Sequence, residues 1–382
     1  MRVLFVSPAY WPATSFGGPT RVAKELTERL ARAGHEVEVL TTTLRAIGEP
    51  PASRFRTRTE QSAGVRVRYL ATPARYRWMG ITPTLPLAWP WRRRPDVVHV
   101  FGYRDVVTTS TAAWARALRI PYVFEPLDMF VPRYRNVPLK RLFDRVLGLP
   151  VAHGAAVVIA CSEHERGQLR EAGLERIEVR PNGFPEPEHP LPRPGLVRRR
   201  LGLSSDVPLV LSVGRLSFKK GLDLLVEAAA GLNGVHVAIV GPDDGDGTRQ
   251  FLETRRRDLG LEDRVHLLGP LEISRPGDVY GDGDVFVLPS RNENFGIVAA
   301  EAAACGVPVV VTDQCGVAEF LDGAALTVDV DAAQIGTALA QVLSDAELRR
   351  TLADAGPAVA RTLSWDSLVQ RQLELYELAR AR

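Results

Sequence analysis

Residues 285–311 read VFVLPSRNENFGIVAAEAAACGVPVVV. Two apolar, valine-rich runs, 285–288 and 307–311, bracket a polar loop and a stretch rich in alanine. Strand, loop, helix, strand is the order of a βαβ unit in a parallel sheet. The loop at the carboxyl end of the first strand spans 289–294, and the helix behind it spans 296–305. Glu293 then lies in the loop, and Glu301 about one and a half turns inside the helix. Their neighbours Ala302, Ala303, Ala304 and Val309 are residues to bury, so the carboxylates need a reason to be there. Sheets of this type bind ligands at the carboxyl ends of their strands. The helix's unpaired N–H groups and positive dipole end suit a phosphate there, and Gly296 lets the backbone approach closely. A carboxylate at that mouth can accept hydrogen bonds from the hydroxyls of a nucleotide sugar. Spacing alone leaves a plainer reading open, with Glu293 as a cap and Glu301 paired to a nearby arginine.

The same alternation extends in both directions. Upstream, strands are expected at 3–6, 37–40, 65–70, 97–100, 122–124, 157–160 and 177–179, with helices at 22–33, 106–118, 139–147 and 163–172. The proline-rich stretch RPNGFPEPEHPLPRPG, residues 180–195, interrupts the pattern and suggests a linker. Strands then resume at 207–213, 235–240, 265–268, 285–288, 307–311 and 326–328. The expectation is an α/β chain of two doubly wound, Rossmann-like domains, 1–185 and 186–364, facing a cleft. A last helix, 365–382, has Leu368, Leu373 and Leu375 to bury and is expected to pack back on the first domain.

Length and composition agree: 382 residues exceed one ordinary core, and 45% apolar with 24% charged residues is a soluble globular profile. Cys161, Cys305 and Cys315 lack metal-ligand spacing and read as free thiols of a reducing cytosol. No signal peptide is expected, since the apolar run 3–6 is too short for an h-region, and no stretch here reaches the ~18 apolar residues needed to span a bilayer. Net charge is +3, but 45–94 holds eleven arginines against Glu49 and Glu60, an excess of nine, so the remainder sums to 3 − 9 = −6. One face of the first half is therefore basic. So low a total, without a recognised binding motif, argues against nucleic acid.

A second motif is SVGRLSFKKGLDLLVEA, residues 212–228. Arg215 and Lys220 fall in the turn after a strand, where two cations can stabilise the charge that builds on a departing diphosphate. Only four lysines occur, Lys24, Lys140, Lys219 and Lys220, against 44 arginines, and two of them are here. A compact ammonium in so arginine-rich a chain points to a specific use, although a solvated basic loop has the same spacing. A third motif, SFGGPTRVAKEL at 15–26, places Gly17 and Gly18 before a helix; it can approach a phosphate or sugar, or simply open that helix. It is not G-x-G-x-x-G and does not argue for a nicotinamide cofactor. DGDG at 244–247 and DGD at 282–284 do not fit an EF-hand and read as turns. His99, ending an apolar strand, reads as structural. Residues 78–94, WMGITPTLPLAWPWRRR, interleave tryptophans with a triple arginine, which suits either a membrane surface or a segment packed on the sheet.

Together these motifs resemble the retaining glycosyltransferases of family 4, with the GT-B fold. RNENFGIVAAEAAACGVPVVVTD is similar to that family's E-x7-E signature, VGRLSFKKG to its Arg/Lys diphosphate motif, FGGPTRVAKEL to its glycine loop and RPNGF to its interdomain segment. The match spans nearly the whole chain. It implies transfer of a sugar from a UDP-, GDP-, ADP- or TDP-linked donor to a hydroxyl acceptor with retention of configuration, in the cytoplasm, without a metal or other cofactor. Arg215 and Lys220 would hold the diphosphate and Glu301 the ribose. Glu293, with the backbone of Asn294, Phe295 and Gly296, would hold the donor sugar, and Gly17 and Gly18 would line the site. Where many members carry a histidine, this chain reads EPLDMF, with Leu127 and Asp128 in those places. That resembles a subgroup with Glu-Pro-Leu-Gly-Met, but with Asp128 for glycine, and makes Glu125 and Asp128 candidates for the acceptor. A sugar-nucleotide epimerase or phosphorylase, or a binder without catalysis, is compatible with the same plan.

Overall fold

The structure, a computed structural model, describes residues 1–382 except 47–48, 77–78, 90–92, 133–135, 185–194 and 272–276. It divides into two units, Met1–Asn182 with Trp365–Arg382, and Gly183–Ser364.

The first unit contains β1 (Arg2–Val6), β2 (Glu36–Thr42), β3 (Arg58–Ser62), β4 (Val65–Leu70), β5 (Ala74–Tyr76), β6 (Met79–Ile81), β7 (Val97–Phe101), β8 (Tyr122–Glu125), β9 (Val157–Ala160) and β10 (Ile177–Val179). Eight of them form one sheet, in the order β10-β9-β8-β7-β1-β2-β4-β3. Val3, Leu4, Phe5 and Val6 are all buried, as expected of a central parallel strand covered on both faces. β3 was not expected. It runs antiparallel to β4 at the sheet's edge and every one of its residues is exposed, so its sequence, RTEQS, has no apolar alternation to read. The two-residue turn Ala63-Gly64 joins them with positive φ at both positions (47° and 81°), the hairpin geometry that matches strand twist.

The first helix, Gly18–Arg32, begins earlier than the apolar pattern implied because Pro19 serves as an opening residue with its fixed φ and no N–H to satisfy. Helix Trp365–Ala381 packs on this unit and buries Leu368, Leu375 and Tyr376. The helix expected at 139–147 proves to be α over Val137–Phe143, π over Asp144–Gly148 and α again over Leu149–His153. The wider π turn brings Asp144 inward, where Arg104 Nε and Nη2 donate to it at 2.8 and 2.6 Å. Gly148 backs onto Tyr103 so closely that a Cβ would lie 2.0 Å from its hydroxyl.

One reading left open is narrowed here, and one expectation is corrected. In 78–94, Trp89 is a core residue, 4% exposed and edge-on to Trp114 at 5.5 Å; Trp78 and Trp91 lie outside the described residues. Arg180, read as the start of a linker, is completely buried at the end of β10, and Asn182 and Phe184 are buried after it. Most of the remaining linker, 185–194, lies outside the described residues.

The second unit has one six-stranded, wholly parallel sheet, in the order β13-β12-β11-β14-β15-β16. Its strands are β11 (Leu209–Val213), β12 (His236–Val240), β13 (Val265–Gly269), β14 (Val285–Leu288), β15 (Val309–Thr312) and β16 (Ala325–Val328). The central β11 and β14 pair directly, although β12 and β13 come between them in sequence and lie on the far side of β11. Strand order therefore reverses at β11/β14, which opens a crevice at their carboxyl ends.

Candidate active site

The turn after β11 and the loop after β14 meet at that crevice. Lys219 carbonyl accepts the Arg291 N–H at 2.8 Å, and Gly221 lies so close to Pro289 that a Cβ would fall 2.0 Å from its carbonyl oxygen. Arg291 also donates both guanidinium nitrogens to Asp223, at 2.6 and 2.7 Å, and stacks on Phe218 at 4.5 Å. On its other side the loop is tied to the segment after β15: Glu293 N–H donates to Gln314 O at 3.0 Å and Val317 N–H to Phe295 O at 2.7 Å. A loop fastened on both flanks can hold side chains in fixed positions. Gly296, at φ 98°, opens helix Ile297–Ala304; a Cβ there would meet Leu288 Cδ2 at 2.8 Å.

Lys220 and Glu293 form an ion pair within this frame, with 13% and 15% of their side chains exposed. Burial alone would raise the Glu293 carboxyl, but Lys220, Lys219 and Arg215 outweigh it and hold it below the usual carboxylate range. Arg215 donates to Asp244 at 2.8 Å, so the DGDG turn contributes one acid to the same edge. Glu301 is 5% exposed and accepts the Tyr280 hydroxyl at 2.8 Å. Three cations thus converge beside the positive end of a helix, an arrangement suited to a diphosphate. Asp223, Arg291 and Tyr280 escaped sequence reading. The bidentate Asp223–Arg291 pair gives no local signal, since its members are separated by 68 positions. Asp223→Asn removes the charge of this clamp and should reduce transfer by about tenfold or more through loss of positioning, without unfolding the unit; steady-state kinetics with circular dichroism checks this.

A cavity of about 670 Å³ lies at the opposite, amino-terminal strand ends, lined by Ser204, Asp284, Pro308 and Arg350 among others. It is not this site: its acids are already used, Asp282 by three backbone N–H groups and Asp284 by Arg198.

Residues 196–359 match the family of glycosyl transferases group 1, and 17–183 match the glycosyl transferase 4-like domain. A D-inositol 3-phosphate glycosyltransferase of Xylanimonas cellulosilytica is 32% identical, over 100% of this chain and 97% of its own. The chain belongs to the group 1 glycosyltransferases. Another relative of the same name, from Thermomonospora curvata, is 30% identical over 97% of this chain and 93% of its own. Among solved structures, sucrose-phosphate synthase from Thermosynechococcus elongatus superimposes with a TM-score of 0.78 at 23% identity, covering 100% of this chain and 99% of that one. Anabaena Alr3699/HepE, in complex with UDP and glucose, gives 0.78 at 20% identity, with 99% of each chain covered. The GT-B fold is thereby shown, and the enzyme is a hexosyltransferase that uses a nucleotide-sugar donor.

In the first unit of this glycosyltransferase, Gly17 (φ 83°) and Gly18 sit at the carboxyl end of β1, where Gly17 precedes the helix and accepts the Thr20 hydroxyl at 3.0 Å. Glu125 is 1% exposed; Arg180 Nη2 donates to it at 2.6 Å, and His99 Nε2 lies at 3.2 Å. A carboxylate so enclosed does not face an incoming acceptor, which corrects its candidacy. His99 in turn reaches Tyr376 at 2.8 Å; burial pushes its imidazole down, so it is neutral and structural. Asp128 is half-buried, and it and Leu127 both adopt left-handed φ (59° and 57°). That conformation explains why glycine fits this position in the subgroup pattern. The turn is held by buried Glu165, which accepts Asp128 N–H at 2.9 Å and Cys161 N–H at 2.8 Å and whose carboxyl is pushed up to about 7 by burial.

Proposed function

We propose that the enzyme is a cytoplasmic, metal-independent transferase that retains anomeric configuration. The observation that carries this is the convergence of Arg215 and Lys220 beside helix Ile297–Ala304, with Glu293 already paired to Lys220. The cations supply the positive charge that a departing diphosphate needs. Glu293 is engaged as a counter-ion and is poorly suited to act as a nucleophile. A front-face course follows: the acceptor hydroxyl attacks on the side from which the diphosphate leaves, and a leaving phosphate oxygen takes its proton. Glu301 holds the ribose, Glu293 and the backbone of 294–296 hold the donor sugar, and Asp128 contacts the acceptor. Peripheral contact with the inner face of a membrane belongs to the same reading.

A thermal-shift panel of UDP, GDP, ADP and TDP tests the donor site. One nucleotide should raise the melting temperature of wild type, and at 100 times its Kd the stabilisation is about 2.7 kcal/mol. Glu301→Ala should abolish most of that shift. No shift with any nucleotide would remove the donor-site assignment. The relatives' name makes D-inositol 3-phosphate the first acceptor to offer, and product analysis with and without acceptor separates transfer from epimerisation or phosphorolysis.

A further inference from the structure

The helical stretch from Val137 to Gly148 has one side inside the first unit and one side outside. Asp144 and Gly148 face inward, the first bound to Arg104 at 2.6 Å. On the outside, Leu139, Leu142, Val146 and Leu147 are 54%, 60%, 61% and 49% exposed. Single exposed leucines need no explanation, but four large apolar side chains within nine residues do. The charges among them are all positive: Lys140, Arg141 and Arg145, because the only acid of the stretch is the inward Asp144. An apolar stripe with a purely cationic border matches the acyl region of a bilayer below and anionic headgroups beside it. Protein partners usually place few charges within their contact core, so this mixture suits them less. Among the described residues no helix is long and apolar enough to cross a membrane, so the contact is one of lying on the surface.

We propose that residues 139–147 dock the enzyme on an anionic lipid bilayer. This rests on the reading of the chain as a peripheral enzyme, and it is a contact separate from 78–94, of which Trp89 belongs to the core. The outward side chains insert, and Lys140, Arg141 and Arg145 meet the headgroups.

The test is co-sedimentation of the whole protein with vesicles of mixed phosphatidylglycerol and phosphatidylcholine, compared with phosphatidylcholine alone. Wild type should bind the mixed vesicles more tightly, and rising salt should weaken that binding. Leu142→Glu with Val146→Glu should reduce binding at least about tenfold. Arg141→Ala with Arg145→Ala should reduce it about 25-fold, some fivefold per cation. All four positions are exposed, so the variants should keep the wild-type nucleotide thermal shift, which reports folding and the donor site independently. Absence of vesicle binding, or equal binding by wild type and both variants, would overturn the proposal. So would a dimer, seen by light scattering, that the Leu142→Glu, Val146→Glu variant dissolves, since the face would then belong to a second copy.

Discussion

Lys220→Ala should lower the transfer rate constant by about 10²–10³-fold, the usual loss when one preorganised charge is removed from a developing anion. Nucleoside diphosphate affinity should fall much less, because the ammonium matters most as the glycosidic bond breaks. Two local facts strengthen this expectation. The Lys220 side chain is mostly enclosed and its partner Glu293 is too, so their fields are little screened by solvent. The turn that carries Lys220 is also bound to the loop that carries Glu293, through Lys219 O and Gly221, so the ammonium is held in a fixed place beside that carboxylate. Lys220→Arg should restore little, as a planar guanidinium does not replace a compact ammonium in that space. Single-turnover kinetics beside a nucleotide titration separate the two effects. Transfer at the wild-type rate would remove Lys220 from the mechanism.

Arg180→Leu should cost the first unit about 3–5 kcal/mol, because it leaves the Glu125 carboxylate buried and uncompensated. Arg180 is 0% exposed and Glu125 1%. Glu125→Leu combined with Arg180→Leu should recover much of the loss, since two apolar groups replace the pair. The pH dependence has a definite sign. Burial alone would raise the Glu125 carboxyl, but Arg180 and His99 outweigh it and hold it below its ordinary value. A depressed carboxyl contributes stability that is fully present above its unfolded value, about 4.3, and is lost as pH falls through the folded value. Wild type should therefore lose more stability than the double variant as pH falls below about 4.3. Denaturant melts across pH measure both.

The fold was legible because its central strands, such as β7, β9, β14 and β15, are fully buried apolar runs, and most of its helices carry one apolar face. β3 was not, since an edge strand with both faces in solvent has no pattern to show. Glu293, Lys220 and Gly296 could be placed at one strand edge from sequence order alone, since βα units deliver their loops there. Their pairings could not: Lys220 and Glu293 are 73 positions apart. Arg180 misled for a related reason. A lone arginine before Pro181 and Asn182 looks like solvated linker, and only the folded sheet shows Glu125 waiting 55 positions upstream. Trp89 near three arginines left a lipid surface and a packed segment both open, and its ring packs edge-on against Trp114.

The return of helix Trp365–Ala381 to the first unit has a consequence for biosynthesis. Tyr376 bonds His99, and Gln372 is wholly buried in the same unit. Residues 1–182 therefore emerge from the ribosome without their final covering, and stay so while 183–364 are made. Domains usually fold in the order they are translated; here the second can close first, and the first is completed only when Trp365–Ala381 has been made.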